Sequence, residues 1–121
     1  MKRIALVEDN PDNRLLIEAM LEGHFEVIQY EDGPSALAGL NTALPSLILL
    51  DISLPVMDGI EVLRRLKEDA ELAKLPVIAL TAHAMSGDRE RFLSEGFDDY
   101  ISKPILDVDE LVSIIESLLP D

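Results

Sequence analysis

The run Ser46-Leu47-Ile48-Leu49-Leu50-Asp51 constrains this chain more than any other stretch. Four consecutive apolar residues lead into a carboxylate, and Ile52-Ser53-Leu54-Pro55-Val56-Met57-Asp58-Gly59 comes next. A solid apolar run of this kind reads as a strand covered on both faces, the environment of a parallel sheet. Open α/β sheets collect their reactive groups beyond the carboxyl ends of the strands. Asp51 is therefore expected at the mouth of a crevice, on a rigid element. Pro55 and Gly59 mark a loop, and Asp58 with Glu61 three residues later forms a cap for the next helix.

Apolar runs and helical periodicity alternate along the chain, the signature of βα units. Ile4 to Val7 is a buried strand running into Glu8-Asp9-Asn10. Asn10 caps a helix that begins at Pro11, on which Leu15, Leu16, Ala19 and Met20 give a helical face, ending at Gly23. Phe25 to Tyr30 is a more mixed strand, suited to an edge. Asp32-Gly33-Pro34 opens a short helix reaching about Leu40. After the strand ending at Asp51, a helix from about Gly59 to Glu68 turns Ile60, Leu63 and Leu66 inward. Pro76 to Leu80 is the fourth strand and ends in Thr81. The segment from Ala84 to Glu95 has only Met85, Phe92 and Leu93 as anchors, so low local stability is expected. Tyr100-Ile101-Ser102 is a short fifth strand leading to Lys103-Pro104. The last helix starts at Asp107 with Glu110 as a capping-box partner, and its inward stripe is Val108, Leu111, Val112, Ile115, Leu118 and Leu119. Solid runs belong in the middle of the sheet and mixed ones at its edges. The doubly wound order 2-1-3-4-5 meets that condition with right-handed crossovers throughout.

Composition narrows the function. The 121 residues suit one domain, expected over 1–121, and 48% apolar content argues against disorder. No appended output domain is expected. A net charge of −14 disfavours direct binding to nucleic acid or to an anionic membrane, because both require clustered Lys and Arg. The absence of cysteine excludes disulfides, thiolate metal sites and thiol catalysis. The first apolar run is too short for a signal peptide or a bilayer span, so a soluble, cytoplasmic protein is expected.

The residues just past each strand carry the chemistry. Strand one leads to Glu8 and Asp9, strand three ends at Asp51, strand four is followed by Thr81 and strand five by Lys103. In a parallel sheet these groups share one edge. Three carboxylates together repel unless one takes a proton or a cation joins them. Carboxylates without Cys or a nearby His favour a hard, water-retaining ion: Mg²⁺ first, with Mn²⁺ or Ca²⁺ as alternatives. A partly filled Mg²⁺ shell accepts phosphate oxygens. Lys103 can pair with a phosphoryl group, the Thr81 hydroxyl can hydrogen-bond it, and Asp51 is placed as the nucleophile of a phosphoryl transfer.

Over essentially its whole length the chain resembles a response-regulator receiver domain of two-component and phosphorelay systems. The resemblance rests on Val7-Glu8-Asp9-Asn10, on Asp51 within Asp-Ile-Ser-Leu-Pro-Val-Met-Asp-Gly, on Thr81-Ala82, on Tyr100 and on Lys103-Pro104. The stretch Thr81 to Ile105 is similar both to single-domain receivers of the DivK type and to receiver modules of hybrid kinases. The resemblance implies a flavodoxin-like (βα)5 three-layer sandwich. It implies that Asp51 accepts a phosphoryl group from a phosphohistidine on a histidine kinase or a histidine phosphotransfer protein. Asp9, Asp51 and the backbone carbonyl of Ser53 would hold Mg²⁺, with Glu8 acting through water. Lys103 would hold phosphoryl oxygens, Thr81 and Tyr100 would switch, and the fourth helix, fifth strand and fifth helix would engage a downstream protein. Lys103-Pro104 would be cis. Glu8 stands where many members have Asp, and Ser53 and His83 occupy positions that tune the lifetime of the phosphorylated state.

Two other classes compete. A small-molecule aspartyl-phosphate hydrolase needs a cap insertion and an Asp-x-Asp pattern, and Ser53 stands where the second Asp would be. A receiver-like binding module independent of phosphate predicts a broken site, whereas every part is present. Nucleotide hydrolysis lacks a Gly-rich P-loop. The reading is a signalling switch rather than an enzyme.

Overall fold

The computed structural model describes residues 1–82, 88–103, 105 and 107–119. Five strands form one parallel sheet: β1 (Arg3–Val7), β2 (Glu26–Tyr30), β3 (Leu47–Asp51), β4 (Val77–Thr81) and β5 (Asp99–Ser102). Their order is β2-β1-β3-β4-β5, the doubly wound arrangement expected. Burial explains the order. Every residue of β3 and β4 is buried, while the edge strands β2 and β5 are mostly half-covered or exposed. Alternate β3 residues serve opposite layers: Ile48 and Leu50 join the apolar cluster on one face, Leu47 and Leu49 the cluster on the other.

The helices are α1 (Pro11–Leu21), α2 (Gly33–Gly39), α3 (Gly59–Lys67), α4 (Asp88–Glu95) and α5 (Val108–Leu118). Their starts follow from caps visible in the chain. Asn10, Asp32, Asp58 and Asp107 each accept backbone N–H bonds from the first helical turn, satisfying donors that the helix itself leaves unpaired. Pro11 and Pro34 occupy first-turn positions where a missing N–H costs nothing.

Helix phase departs from expectation in three places. Of the face expected on α1 only Met20 packs on the core: Ile17 and Leu21 are the buried residues, while Leu15 and Leu16 are 64% and 44% exposed and Ala19 is exposed. The helix carries two apolar stripes of helical spacing, and only one faces the sheet. On α3, Val62 joins Leu63 and Leu66 in the core and Ile60 stays at the rim. On α4, Phe92 is fully buried between the rings of Phe97 (6.0 Å) and Tyr100 (5.7 Å), whereas Leu93 is 40% exposed. The stripe expected on α5 is observed, with Leu111, Val112 and Ile115 at its centre. Met85, His83 and the Lys103–Pro104 junction involve residues outside those described.

Candidate functional site

Parallel register delivers the predicted groups to one edge. Val7 pairs with Leu50, Asp51 with Leu80 and Thr81 with Ser102, so the residues at the ends of β1, β3, β4 and β5 emerge side by side. Glu8 extends the ladder by donating its N–H to Tyr30 O at 3.0 Å. Arg14, one turn into α1, reaches back, and its Nη1 donates to Glu8 O (2.8 Å) and Asp9 O (3.2 Å). The acidic pair is thus held from the helix side.

Asp51 is held from its own loop. Its Oδ1 accepts the Ser53 N–H at 2.9 Å, while Ile52 N–H donates to Leu80 O at 3.0 Å and Gly59 N–H to Ile52 O at 2.9 Å. Gly59 is required here by space. A Cβ at this position would lie 2.4 Å from Asp51 O and 2.7 Å from Ile52 Cα. Both atoms belong to backbone that cannot retreat without moving Asp51. Gly59→Ala is expected to cost about 2 kcal/mol and to weaken metal binding, as read by urea unfolding and Mg²⁺ titration. The same loop carries Val56 at φ +69°, a left-handed conformation that a β-branched residue adopts only when its surroundings enforce it. Pro55 O and Met57 N–H close the turn around it at 2.7 Å.

Lys103 completes the cluster. Its Nζ donates to Glu8 Oε1 at 3.1 Å and to Asp51 Oδ2 at 3.0 Å. Its backbone N–H donates to Thr81 O at 2.7 Å, tying the end of β5 to the end of β4. Glu8, Asp51 and Thr81 are buried, while Asp9 is exposed. The site therefore has a closed floor and an open side.

Electrostatics follow from this packing. Burial first, and then the neighbouring Asp51 carboxylate, push the Glu8 carboxyl from 4.5 up to about 7 against the pull of Lys103. For Asp51, burial acts upward. It is outweighed by hydrogen bonds from Glu8, Lys103 and the Ser53 N–H, so its carboxyl lies below the ordinary range. Lys103 lies above its ordinary value, because its two carboxylate partners outweigh burial. Glu8 thus shares a proton near neutrality while Asp51 stays ionised. Folding takes up a proton on Glu8 between its unfolded value of 4.5 and about 7, so the Glu8 contribution favours folding at low pH and is lost as pH rises toward 7. Glu8→Gln is expected to flatten that decline by roughly 2 kcal/mol between pH 5 and 8 in the absence of metal, as read by denaturant unfolding in chelator.

The site fits a divalent cation. One carboxylate oxygen each from Glu8, Asp9 and Asp51 lies within 4.8 Å of the others, an all-oxygen set suited to a hard ion. Glu8, Asp9, Asp51 and Lys103 are thus brought together, with Ser53 attached through its N–H and Thr81 through its backbone. Tyr100 is half-buried one strand away and packs on Phe92. Neither Arg14 nor the steric need for Gly59 is among the groups expected from sequence. An Arg four residues past the helix cap is the available signal, since its long side chain can reach back to the carbonyls before the helix.

Comparison with known proteins agrees with this geometry. Residues 4–116 match the family described as the response regulator receiver domain. The chain is 44% identical to the polar-differentiation response regulator DivK of Brucella anthropi, across 99% of this chain and 98% of that protein. It superposes on the receiver domain of sensor histidine kinase PA1611 from Pseudomonas aeruginosa, a structure with magnesium coordinated in the active-site cleft. The TM-score is 0.86 at 39% identity, covering 97% of this chain and 96% of that one. The chemotaxis protein CheY4 of Vibrio cholerae shares the fold with a TM-score of 0.89 at 23% identity, covering 98% of this chain and 99% of that one. With its flavodoxin-like sheet and its acidic cluster at the strand ends, the chain belongs to the response regulator receiver domains of two-component systems.

Proposed function

We propose that this receiver domain is a phosphoacceptor switch that takes a phosphoryl group onto Asp51 from a phosphohistidine of a histidine kinase or phosphotransfer protein. The observation that carries the reading is the Lys103 ammonium, held between the buried carboxylates of Glu8 and Asp51, whose oxygens gather with one from Asp9. An Asp51 oxygen attacks phosphorus in line with the scissile P–N bond. A P–O bond to Asp51 forms, the P–N bond breaks, and the leaving imidazole retains a proton. Lys103 turns its charge onto the phosphoryl oxygens, and the Thr81 hydroxyl donates to one of them. Asp9, Asp51 and the Ser53 carbonyl, with Glu8 through a water, would hold Mg²⁺ or Mn²⁺, and the bound ion would supply charge neutralisation for the transferred group.

The consequence of transfer is read at α4, β5 and α5 through Thr81 and Tyr100. The Tyr100 ring already packs on Phe92, the buried anchor of α4, so a displacement of Tyr100 bears directly on that helix. The product is a changed protein surface offered to a downstream protein, and the only chemistry turned over is the domain's own phosphorylation and dephosphorylation. The site of action is the cytoplasm. No described helix is long and apolar enough to cross a membrane.

Intact-mass measurement after incubation with Mg²⁺ and acetyl phosphate tests the reading. One added phosphoryl group is expected, absent with chelator. The absence of any adduct, under conditions that load another receiver and with Mg²⁺ bound, would overturn it in favour of a phosphate-independent docking module.

A further inference from the structure

Arg14 takes no part in the chemistry at Asp51, yet its guanidinium is directed at two backbone carbonyls beside the acidic cluster. One nitrogen, Nη1, donates to Glu8 O at 2.8 Å and to Asp9 O at 3.2 Å. These two oxygens belong to the peptide planes that meet at the Asp9 Cα. Each plane is rigid, so a rotation about either soft backbone bond of Asp9 turns one carbonyl away from Arg14. Both ends of this short link are tied as well. Glu8 N–H donates to Tyr30 O at 3.0 Å on the sheet side, and Arg14 N–H donates to Asn10 O at 3.0 Å on the helix side. Asn10 Oδ1 accepts the Asp12 and Asn13 N–H groups at 2.8 and 3.2 Å. The sheet holds one end of Glu8-Asp9-Asn10, the helix cap holds the other, and Arg14 braces the middle.

The brace bears on one carboxylate of the cluster more than on the others. Glu8 and Asp51 are buried and share the Lys103 ammonium, so their surroundings hold their side chains. Asp9 is exposed. Its carboxylate joins the other two within 4.8 Å in the direction that its backbone gives it. We propose that Arg14 is a positioning residue for the cation site: by fixing φ and ψ of Asp9 it aims that carboxylate at a divalent cation before the cation arrives. The inference rests on Glu8, Asp9 and Asp51 forming such a site. Partners that orient a metal ligand from outside the coordination shell typically carry roughly ten- to a hundredfold in affinity. The charge of Arg14 acts in the opposite direction. A guanidinium near a cation site repels the cation, so a role through charge alone predicts tighter binding once Arg14 is neutralised. A role through position predicts weaker binding.

The test is Mg²⁺ titration of isotope-labelled protein, followed by amide NMR shifts. The dissociation constant is expected to rise roughly tenfold in Arg14→Met, which keeps the aliphatic stem and removes both hydrogen bonds. It should rise by less in Arg14→Lys, which keeps the charge on a shorter side chain. Lys67→Met, the loss of an exposed cation at the end of α3, should bind as the parent does. Without metal, the amide order parameter of Asp9 should fall below the rigid-backbone range in Arg14→Met. At saturating Mg²⁺ its phosphoryl uptake from acetyl phosphate should return to the parent rate, because only occupancy has been lost. Thermal midpoints confirm that each variant is folded, and Arg14→Lys carries the test if Arg14→Met is not. Equal or tighter Mg²⁺ binding in Arg14→Met, or an Asp9 amide as ordered as in the parent, would overturn the proposal. So would a variant that binds Mg²⁺ normally and is slow only with a phosphohistidine protein as donor, which would assign Arg14 to a protein contact. A parent that binds no Mg²⁺ would overturn the cation site and the inference with it, whereas a binding parent beside an unaffected Arg14→Met overturns the inference alone.

Discussion

Asp51→Asn is expected to abolish the phosphoryl adduct completely while changing stability by no more than about 1 kcal/mol. The two halves of this expectation have separate physical grounds. Loss of the adduct follows from nucleophilicity: an amide oxygen carries no formal charge and is far weaker toward phosphorus than a carboxylate held ionised by its neighbours. Retention of the fold follows from shape and hydrogen bonding. Asn keeps the volume of Asp, its Oδ1 can still accept the Ser53 N–H found at 2.9 Å, and Lys103 keeps Glu8 as its partner. Removal of the Asp51 charge also removes one of the groups holding the Glu8 carboxyl near 7, so Glu8 should titrate lower in the variant. Intact mass with acetyl phosphate and Mg²⁺ reads the first half, and urea unfolding reads the second. An adduct that persists in the variant would place the acceptor elsewhere.

The sheet was legible because its central strands are buried on both faces. Leu47 to Leu50 and Val77 to Leu80 need no partner information to be recognised as interior, and their solidity against the mixed β2 and β5 sets the strand order. The acidic site was legible for a related reason. In a parallel sheet the residue after each strand is assigned to one edge by topology alone, whatever the loop between. Helix phase was harder to read. On α1 both Leu15-Leu16-Ala19 and Ile17-Leu21 satisfy helical spacing, and the choice between them depends on the angle at which Asn10 and Arg14 set the helix onto the sheet. That angle is a tertiary quantity. Ile60 and Val62 on α3 differ in the same way. Gly59 was visible as a turn residue, but its need for an empty Cβ position arises only when α3 packs against the carbonyl of Asp51.

Lys103→Met is expected to destabilise the metal-free protein by about 3 kcal/mol at pH 8, with the loss shrinking below pH 6 and largely reversed by millimolar Mg²⁺. Among the described residues, the Lys103 ammonium is the cation that bridges Glu8 and Asp51, at 3.1 and 3.0 Å. Met preserves most of its volume and removes the charge, leaving two buried carboxylates facing each other. Protonation provides one escape. Lys103 holds the Glu8 carboxyl down, so without it Glu8 rises above about 7 and becomes neutral as pH falls. The repulsion is then relieved, which gives the variant a steeper loss of stability with rising pH than the parent. A divalent cation provides the other escape: bound to the same carboxylates, it replaces the missing charge, so the Mg²⁺-induced stabilisation should be larger in the variant than in the parent. Unfolding curves at pH 5.5 and 8, each with chelator and with Mg²⁺, separate these effects. Equal destabilisation at both pH values, unmoved by Mg²⁺, would mean that Lys103 contributes through packing of its aliphatic stem rather than through its charge.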